Sequence, residues 1–401
     1  MPLLSDSTKR YIDVHKKDDV RQLALHTRSN SDIDLTLALQ QIEGYQKALI
    51  KLPQWANTKG IIYPPLISME QCSSEATAKY KAGLIPAGNN MADLTGGFGI
   101  DFSYLAPKFF KAHYIEEQAN LCDLALHNFS ILGLGNCVVH QNNAQDFLTN
   151  STEIFDLIYV DPARRDANNR KTFLPTDCSP DLTLLQKTIK QKAKVIMVKY
   201  APMLDITAAI TAIKGVYEIH IISVNNECKE LLLLISSVSD EHKATDPLIV
   251  CANIKQKGID IFSFHIGDDK NIETNYSFPL KFIYEPNASI MKAGGFHSVA
   301  NKTGTKLIQQ NSHISTSDDF ISDFPGRKFE KLFISSLNKK DLKDNLEGIS
   351  KANITTRNFP MTTDMLRKRL KLKDGGDLYI FATTLIDHSH ALIGCKQIFG
   401  Q

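Results

Sequence analysis

The chain has 401 residues, 43% of them hydrophobic and 22% charged, with a formal net charge of +2. At roughly 100–200 residues per domain this predicts two to four domains, with cores large enough to need no disulfide or metal staple. The near-neutral balance neither demands nor excludes a nucleic-acid partner, because a basic patch can sit on a neutral protein.

Residues 1–82 read as a helical lead-in. In 32–52 the apolar positions first alternate and then fall into a helical period, and Pro53 ends the run. The Pro-broken stretch 61–68 connects to a second helix over 73–82, with Ser73 or Ser74 as its cap and Glu75 behind it. The same residues, with Lys79, are alternatively a lid over a bound ligand.

From about 90 the pattern becomes strand–helix alternation. Strands are expected at 91–94, 112–116, 137–141, 155–161, 193–199, 217–224 and 230–236, and the segment 102–110 between the first two is expected to be helical. Helices between the first five strands are the mark of a parallel sheet with crossovers, and the last two strands suit a hairpin at its edge. After about 245 come strands at 258–266, 278–286, 328–336 and 376–384, with helices at 341–352 and 363–372. This is an α+β pattern in one or two small domains.

Four features fall at the carboxyl ends of successive predicted strands, the edge where open α/β sheets bind ligands. The first is Asp93-Leu-Thr95-Gly-Gly97-Phe-Gly99-Ile-Asp101, a glycine turn before a helix; glycines allow a tight turn and close approach to a ligand. The second is Glu116, 19 positions after Gly97, where a carboxylate can accept hydrogen bonds from ribose hydroxyls. The third is Asn143-Ala144-Gln-Asp-Phe147, whose side-chain acceptor suits an adenine amino group. The fourth is Asp161-Pro162-Ala163-Arg164-Arg165. Taken alone, the glycine turn fits any nucleotide or none. Gly97-x-Gly99 followed by Phe102 is a poor match to the G-x-G-x-x-G turn of NAD-linked oxidoreductases.

In this order the motifs resemble those of class I, Rossmann-type methyltransferases. The chain is further similar to a bacterial group of these with a C-terminal THUMP-like domain, through the strings 40–55, 69–82, 223–234, 284–296, 323–329 and 353–360. The resemblance implies a Rossmann-like α/β sheet with a helical N-terminal region (1–82), a methyltransferase domain (83–245), a small ferredoxin-like domain (246–320) and a THUMP-like domain (321–401). It implies S-adenosylmethionine as cofactor, held by Asp93, Thr95, Gly97, Gly99, Asp101, Glu116, Asn143, Ala144 and Asp161. Asn143 stands where the family usually has Asp.

Asp161, Pro162 and Arg164 are then the expected catalytic residues, Asp161 orienting the acceptor or taking its proton. Arg164 and Arg165 are expected to grip phosphate as guanidinium forks. The Asp-Pro is followed by Ala163 and Arg164, not by the Pro-aromatic pair of amino methyltransferases, and no cysteine follows closely, Cys178 being 17 positions on. The basic run Arg367-Lys368-Arg369-Leu-Lys-Leu-Lys373 offers a phosphate-binding stripe, or simply a solvated face. Arg327 and Arg357 pair cations with nearby Phe324, Phe329 and Phe359, a combination that suits RNA if those rings are not core.

The expected function is methyl transfer to an rRNA or tRNA base. The alternatives are a methyltransferase for a protein or small molecule, or a catalytically silent RNA-binding relative. Seven cysteines without a CxxC pair point to reduced thiols and no metal. Segment 1–17 turns polar too soon for a signal peptide, and the longest apolar run, 231–235, is far short of a membrane span. A cytoplasmic protein without a membrane partner is expected.

Overall fold

The strand–helix alternation read between 90 and 200 folds as a parallel sheet. The computed structural model describes residues 4–26, 32–164, 174–237 and 246–399. The chain divides into two units, Met1–Tyr217 with Leu231–Thr245 and Glu218–Glu230 with Asp246–Gln401.

In the first unit a helical lead-in precedes the sheet. Helix Leu35–Lys51 starts at Asp34, whose carboxylate accepts the Leu37 N–H. Residues 32–34, expected within the helix, are outside it because Asp34 caps it. Ala38, Gln41, Ile42 and Ala48 form its buried face, at helical spacing. Pro53 opens the next short helix, a position where its missing N–H costs nothing. Helix Glu75–Leu84 begins at Ser74, which accepts from Thr77 N–H. Trp55, Tyr63 and Met69 of the lead-in pack with Phe98 and Ile100 of the glycine segment in one core cluster. The Trp55 and Phe98 rings meet edge to face at 5.0 Å. Burial of a side chain such as Phe98 is worth about 1.5–3 kcal/mol, which pins the glycine turn to the helices before it.

The strands are β1 Gly88–Asp93, β2 Phe109–Glu116, β3 Cys137–Gln141, β4 Phe155–Val160, the two-residue β5 Ala163–Arg164 and β6 Cys178–Ser179, and β7 Ala193–Tyr200. Next come β8 Val216–Val224 and β9 Glu227–Ser236. In the first unit β7, β4, β1, β2 and β3 lie side by side, all parallel. β9 flanks β7 antiparallel from Ser236 to Leu231. The chain builds outward from β1 through β2 and β3, then returns to the other side of β1 for β4. The gap between the ends of β1 and β4 is thus a topological switch point. One expectation fails here: the helix after the glycine turn covers only Ile100–Leu105, and Phe109 already opens β2. The buried Phe109 beside an 85% exposed Phe110 shows the alternation of a strand, which the apolar run concealed.

In the second unit β8 turns into β9 through Asn225-Asn226, both at positive φ (50° and 65°), as a two-residue type I′ hairpin requires. β10 Leu248–Ile254 pairs parallel with β8, and β11 Ile259–His265 antiparallel with β10. A separate seven-stranded sheet follows: β12 Phe282–Pro286, β13 Lys306–Leu307, β14 Ser315–Ser317, β15 Gly326–Ser335, β16 Asn353–Arg357, β17 Leu378–Thr384 and β18 His390–Ile398. Their order is β13-β14-β12-β15-β18-β17-β16. β10, β13, β14, β16 and β18 were not expected from the sequence pattern. The strand expected from 278 starts at Phe282, and the helices expected to reach 352 and 372 stop at Leu346 and Leu370. β18 runs unbroken through Gly394, a residue that usually weakens a strand; a Cβ there would meet the Phe333 ring at 2.2 Å, so the glycine admits that ring. Among the described residues no helix is long and apolar enough to cross a membrane.

Candidate active site

The glycine turn leaves β1 at Asp93. Gly97 (φ +57°) and Gly99 (φ +81°) occupy the left-handed region that other residues rarely adopt. A Cβ at Gly99 would also strike the Phe129 ring at 2.8 Å, whereas one at Gly97 would find nothing nearer than 3.7 Å. Glu116, at the end of β2, accepts the Gly97 N–H (2.9 Å) through Oε2 and the Gln118 N–H (2.9 Å) through Oε1. The acid predicted to sit beside the glycine turn therefore does so. Asn143 caps helix Ala144–Asn150: its Oδ1 accepts the Asp146 N–H at 2.8 Å and its Nδ2 donates to the Asp146 carboxylate. Its acceptor oxygen already serves the helix, and Ala144 is buried.

Thr95 connects the ends of β1 and β4. It donates from N (2.9 Å) and Oγ1 (3.3 Å) to Asp93 Oδ1, and its Oγ1 accepts the Asp161 N–H at 2.7 Å. Asp93 is 1% exposed, and burial pushes its carboxyl up to about 8. It therefore keeps its proton to a higher pH than an exposed aspartate does.

Behind the switch point lies a cluster that no motif announced. Lys199, near the end of β7, places Nζ 2.6 Å from Asp161 Oδ2 and donates to Ser73 Oγ at 3.1 Å. Lys81 Nζ is 2.9 Å from Asp101 Oδ1 and donates to Ser73 Oγ at 2.9 Å. Asp101 Oδ2 accepts from Ser73 Oγ (2.7 Å) and Tyr159 OH (2.6 Å) and is 3.7 Å from Lys199 Nζ. Burial alone would raise the Asp101 carboxyl, but Lys81, Lys199 and the Tyr159 and Ser73 hydroxyls hold it well below the usual carboxylate range. Asp161 is pushed up by burial, with Lys199 opposing. Two lysines face two carboxylates, and only Asp161, 36% exposed at its side chain, opens to solvent; Lys81 and Asp101 are at 0% and 8%.

Asp101, expected at the cofactor, is thus a buried ionic anchor. Ser73 belongs to this cluster, while Ser74, Glu75 and Lys79 serve helix capping and an i,i+4 pair. Pro162 follows Asp161, and Ala163–Arg164 pairs with Cys178–Ser179. The side chain of Arg164, all of Arg165 and the basic stretch 169–171 lie outside the described residues. One signal for Lys199 was present in the sequence, a charge that follows the apolar run 195–198 in the strand neighbouring Asp161's own. Lys81 and Tyr159 gave none.

In the second unit the basic residues are largely engaged. Arg367 pairs with Asp374 (2.6 Å) and Asp364 (3.3 Å), and Arg369 donates to the Leu337 carbonyl at 3.2 Å. Lys368 is exposed. Arg327 and Arg357 both bind Glu285, 3% exposed, and Phe324 and Phe329 are core residues at 2% and 0%.

Residues 326–397 match the THUMP domain-like family and 282–325 a ferredoxin-like domain. The parallel sheet and its switch point are Rossmann-like, and the two matches add ferredoxin-like and THUMP-like domains at the C-terminal end. Over nearly its whole length the chain is similar to a crystal structure from Porphyromonas gingivalis W83 whose methyltransferase role is itself a proposal. The two share 29% identity, with 98% of each chain covered and a TM-score of 0.86. TrmK from M. capricolum, solved with S-adenosyl-homocysteine, is 16% identical over 40% of this chain and 67% of its own; at a TM-score of 0.32 that likeness carries no weight. Comparison with curated proteins gave no match.

Proposed function

We propose that the protein transfers a methyl group from S-adenosylmethionine to RNA. The observation that carries this reading is the convergence of the Gly97–Gly99 turn, Glu116 and Asp161 on one switch-point crevice. The donor set fits the cofactor: a glycine turn with room above Gly97, a carboxylate beside it for ribose hydroxyls, and a second carboxylate at the neighbouring strand end. Asp93, Thr95, Gly97, Gly99 and Glu116 would hold the cofactor, with Asn143 and Ala144 beside its base. Asp101 supports them from beneath. When bound, the sulfonium supplies an activated methyl group, so the protein's task is to position the acceptor and manage its proton. Asp161 would take that role, with Pro162 shaping its loop and Arg164 and Arg165 meeting phosphate.

RNA as acceptor is supported by the THUMP domain-like match and by exposed Lys368 in the basic run. Arg367 and Arg369 contribute less, since each already has a protein partner. Two measurements test the reading. Calorimetry with S-adenosylmethionine should show one site per chain, and binding to NAD instead would overturn it. Mass-spectrometric mapping of RNA from cells with and without the protein should show one position losing its methyl group. Unchanged RNA would favour a protein or small-molecule acceptor.

A further inference from the structure

From the buried Lys199–Asp161 pair we infer that the acceptor is a hydroxyl oxygen, the ribose 2′-hydroxyl of RNA, with Lys199 a positioning residue behind Asp161. The inference rests on the proposed function and replaces the base acceptor expected from sequence. Asp161 is the solvent-open end of a network whose other ionic members, Lys199, Asp101 and Lys81, are nearly or fully buried. The four charges cancel. Asp101 is held ionised by both lysines, so when Asp161 takes up a proton the cluster becomes positive.

That sign decides between acceptors. A neutral amine gains positive charge as it takes the methyl group, and an ammonium a few ångströms away in a buried setting opposes this. A hydroxyl instead gains negative charge as its proton leaves, and the same ammonium stabilises it. The balance is complete: the hydroxyl proton passes to the Asp161 carboxylate and on to solvent, and an oxygen lone pair forms the bond to the methyl carbon. The carbon–sulfur pair stays with sulfur, taking sulfonium to thioether. Burial raises the Asp161 carboxyl toward a more basic value, which favours the proton transfer. Among the described residues of these two strand ends no exposed ring is offered to an extruded base: Pro162 and Ala163 follow Asp161, and Tyr200, next to Lys199, is 3% exposed.

The test uses the full chain, methyl-labelled S-adenosylmethionine and total RNA from cells lacking the protein, digested to nucleosides. Label in a 2′-O-methyl nucleoside is expected. Label on a base overturns the hydroxyl inference and leaves the RNA methyltransferase reading intact; no label in RNA overturns both. Lys199→Met should lower turnover at least about 100-fold with cofactor affinity within a few-fold, while Lys199→Arg keeps the charge and retains part of the rate. Full turnover by Lys199→Met overturns the role of Lys199. A readout independent of turnover is the carboxyl-carbon titration of Asp161 in the ligand-free protein, assigned with Asp161→Asn. It should move to higher pH in Lys199→Met, and an unmoved titration overturns the pairing. Should Lys199→Met not fold, the same titration and label position in Lys199→Arg and wild type decide the matter.

Discussion

Two buried ionic clusters, one in each unit, are built from the same chemistry to different ends. In the second unit Glu285 is closed off by Arg327 and Arg357, which take both its oxygens, and the side chain is 4% exposed. In the first unit Asp101 plays the same anchoring part for Lys81 and Lys199, but the network continues to Asp161, which is 36% exposed. The difference is position. Glu285 lies on β12, an interior strand paired antiparallel on both sides, whereas Asp161 follows the last residue of a parallel strand beside a switch point. A closed cluster secures a fold; one with an open carboxylate has a group left to act on a ligand.

The comparison is broken most sharply at the open end. Asp161→Ala should cut methyl transfer about 10²–10⁴-fold while cofactor binding, measured by calorimetry, stays nearly intact. Persistent turnover would remove Asp161 from its role. Next in size is the buried anchor. Asp101→Asn leaves two buried lysines short of a carboxylate and should cost about 3–5 kcal/mol in urea unfolding. Glu285→Gln keeps a hydrogen-bonding amide before two arginines that are a third exposed, and should cost about 1–3 kcal/mol. Equal costs would mean that the two clusters are equally closed.

Acidity separates the carboxylates further. Asp101, held low when folded, contributes stability that is present above its unfolded value of about 4 and is lost as pH falls through its lower folded one. Asp93, raised to about 8, does the reverse. Between about pH 4 and 8 the unfolded chain holds Asp93 ionised while the folded protein keeps its proton, so stability falls as pH rises across that window. Asp93→Asn should therefore raise Tm more at pH 8 than at pH 5, and a pH-independent difference would refute the assignment. The smallest effect is expected on the surface: Lys368→Ala should weaken RNA binding less than about tenfold and reduce its salt slope by about 1. Arg367→Ala, by contrast, should register mainly in stability through the lost Asp364 and Asp374 pairs.

The glycine turn, Glu116 and Asp161 were legible because each sits at a strand end within a short, ordered stretch of chain. Periodicity placed the first-unit strands, and glycines with an acid 19 positions on placed the turn. The sequence by itself determined these local matters, since strand period, turn chemistry and capping act over a few residues. Only the tertiary structure decided that Ser73 meets Lys199 across 126 positions, that Tyr159 reaches Asp101 across 58, and that Asp101 anchors the site from within. The physical reason is that a buried charge must find its partners wherever the fold brings them. Such pairing leaves no period and no fixed spacing in the chain, so the partners of Lys81 and Lys199 become visible only once helix Glu75–Leu84 and strands β4 and β7 are packed in the fold.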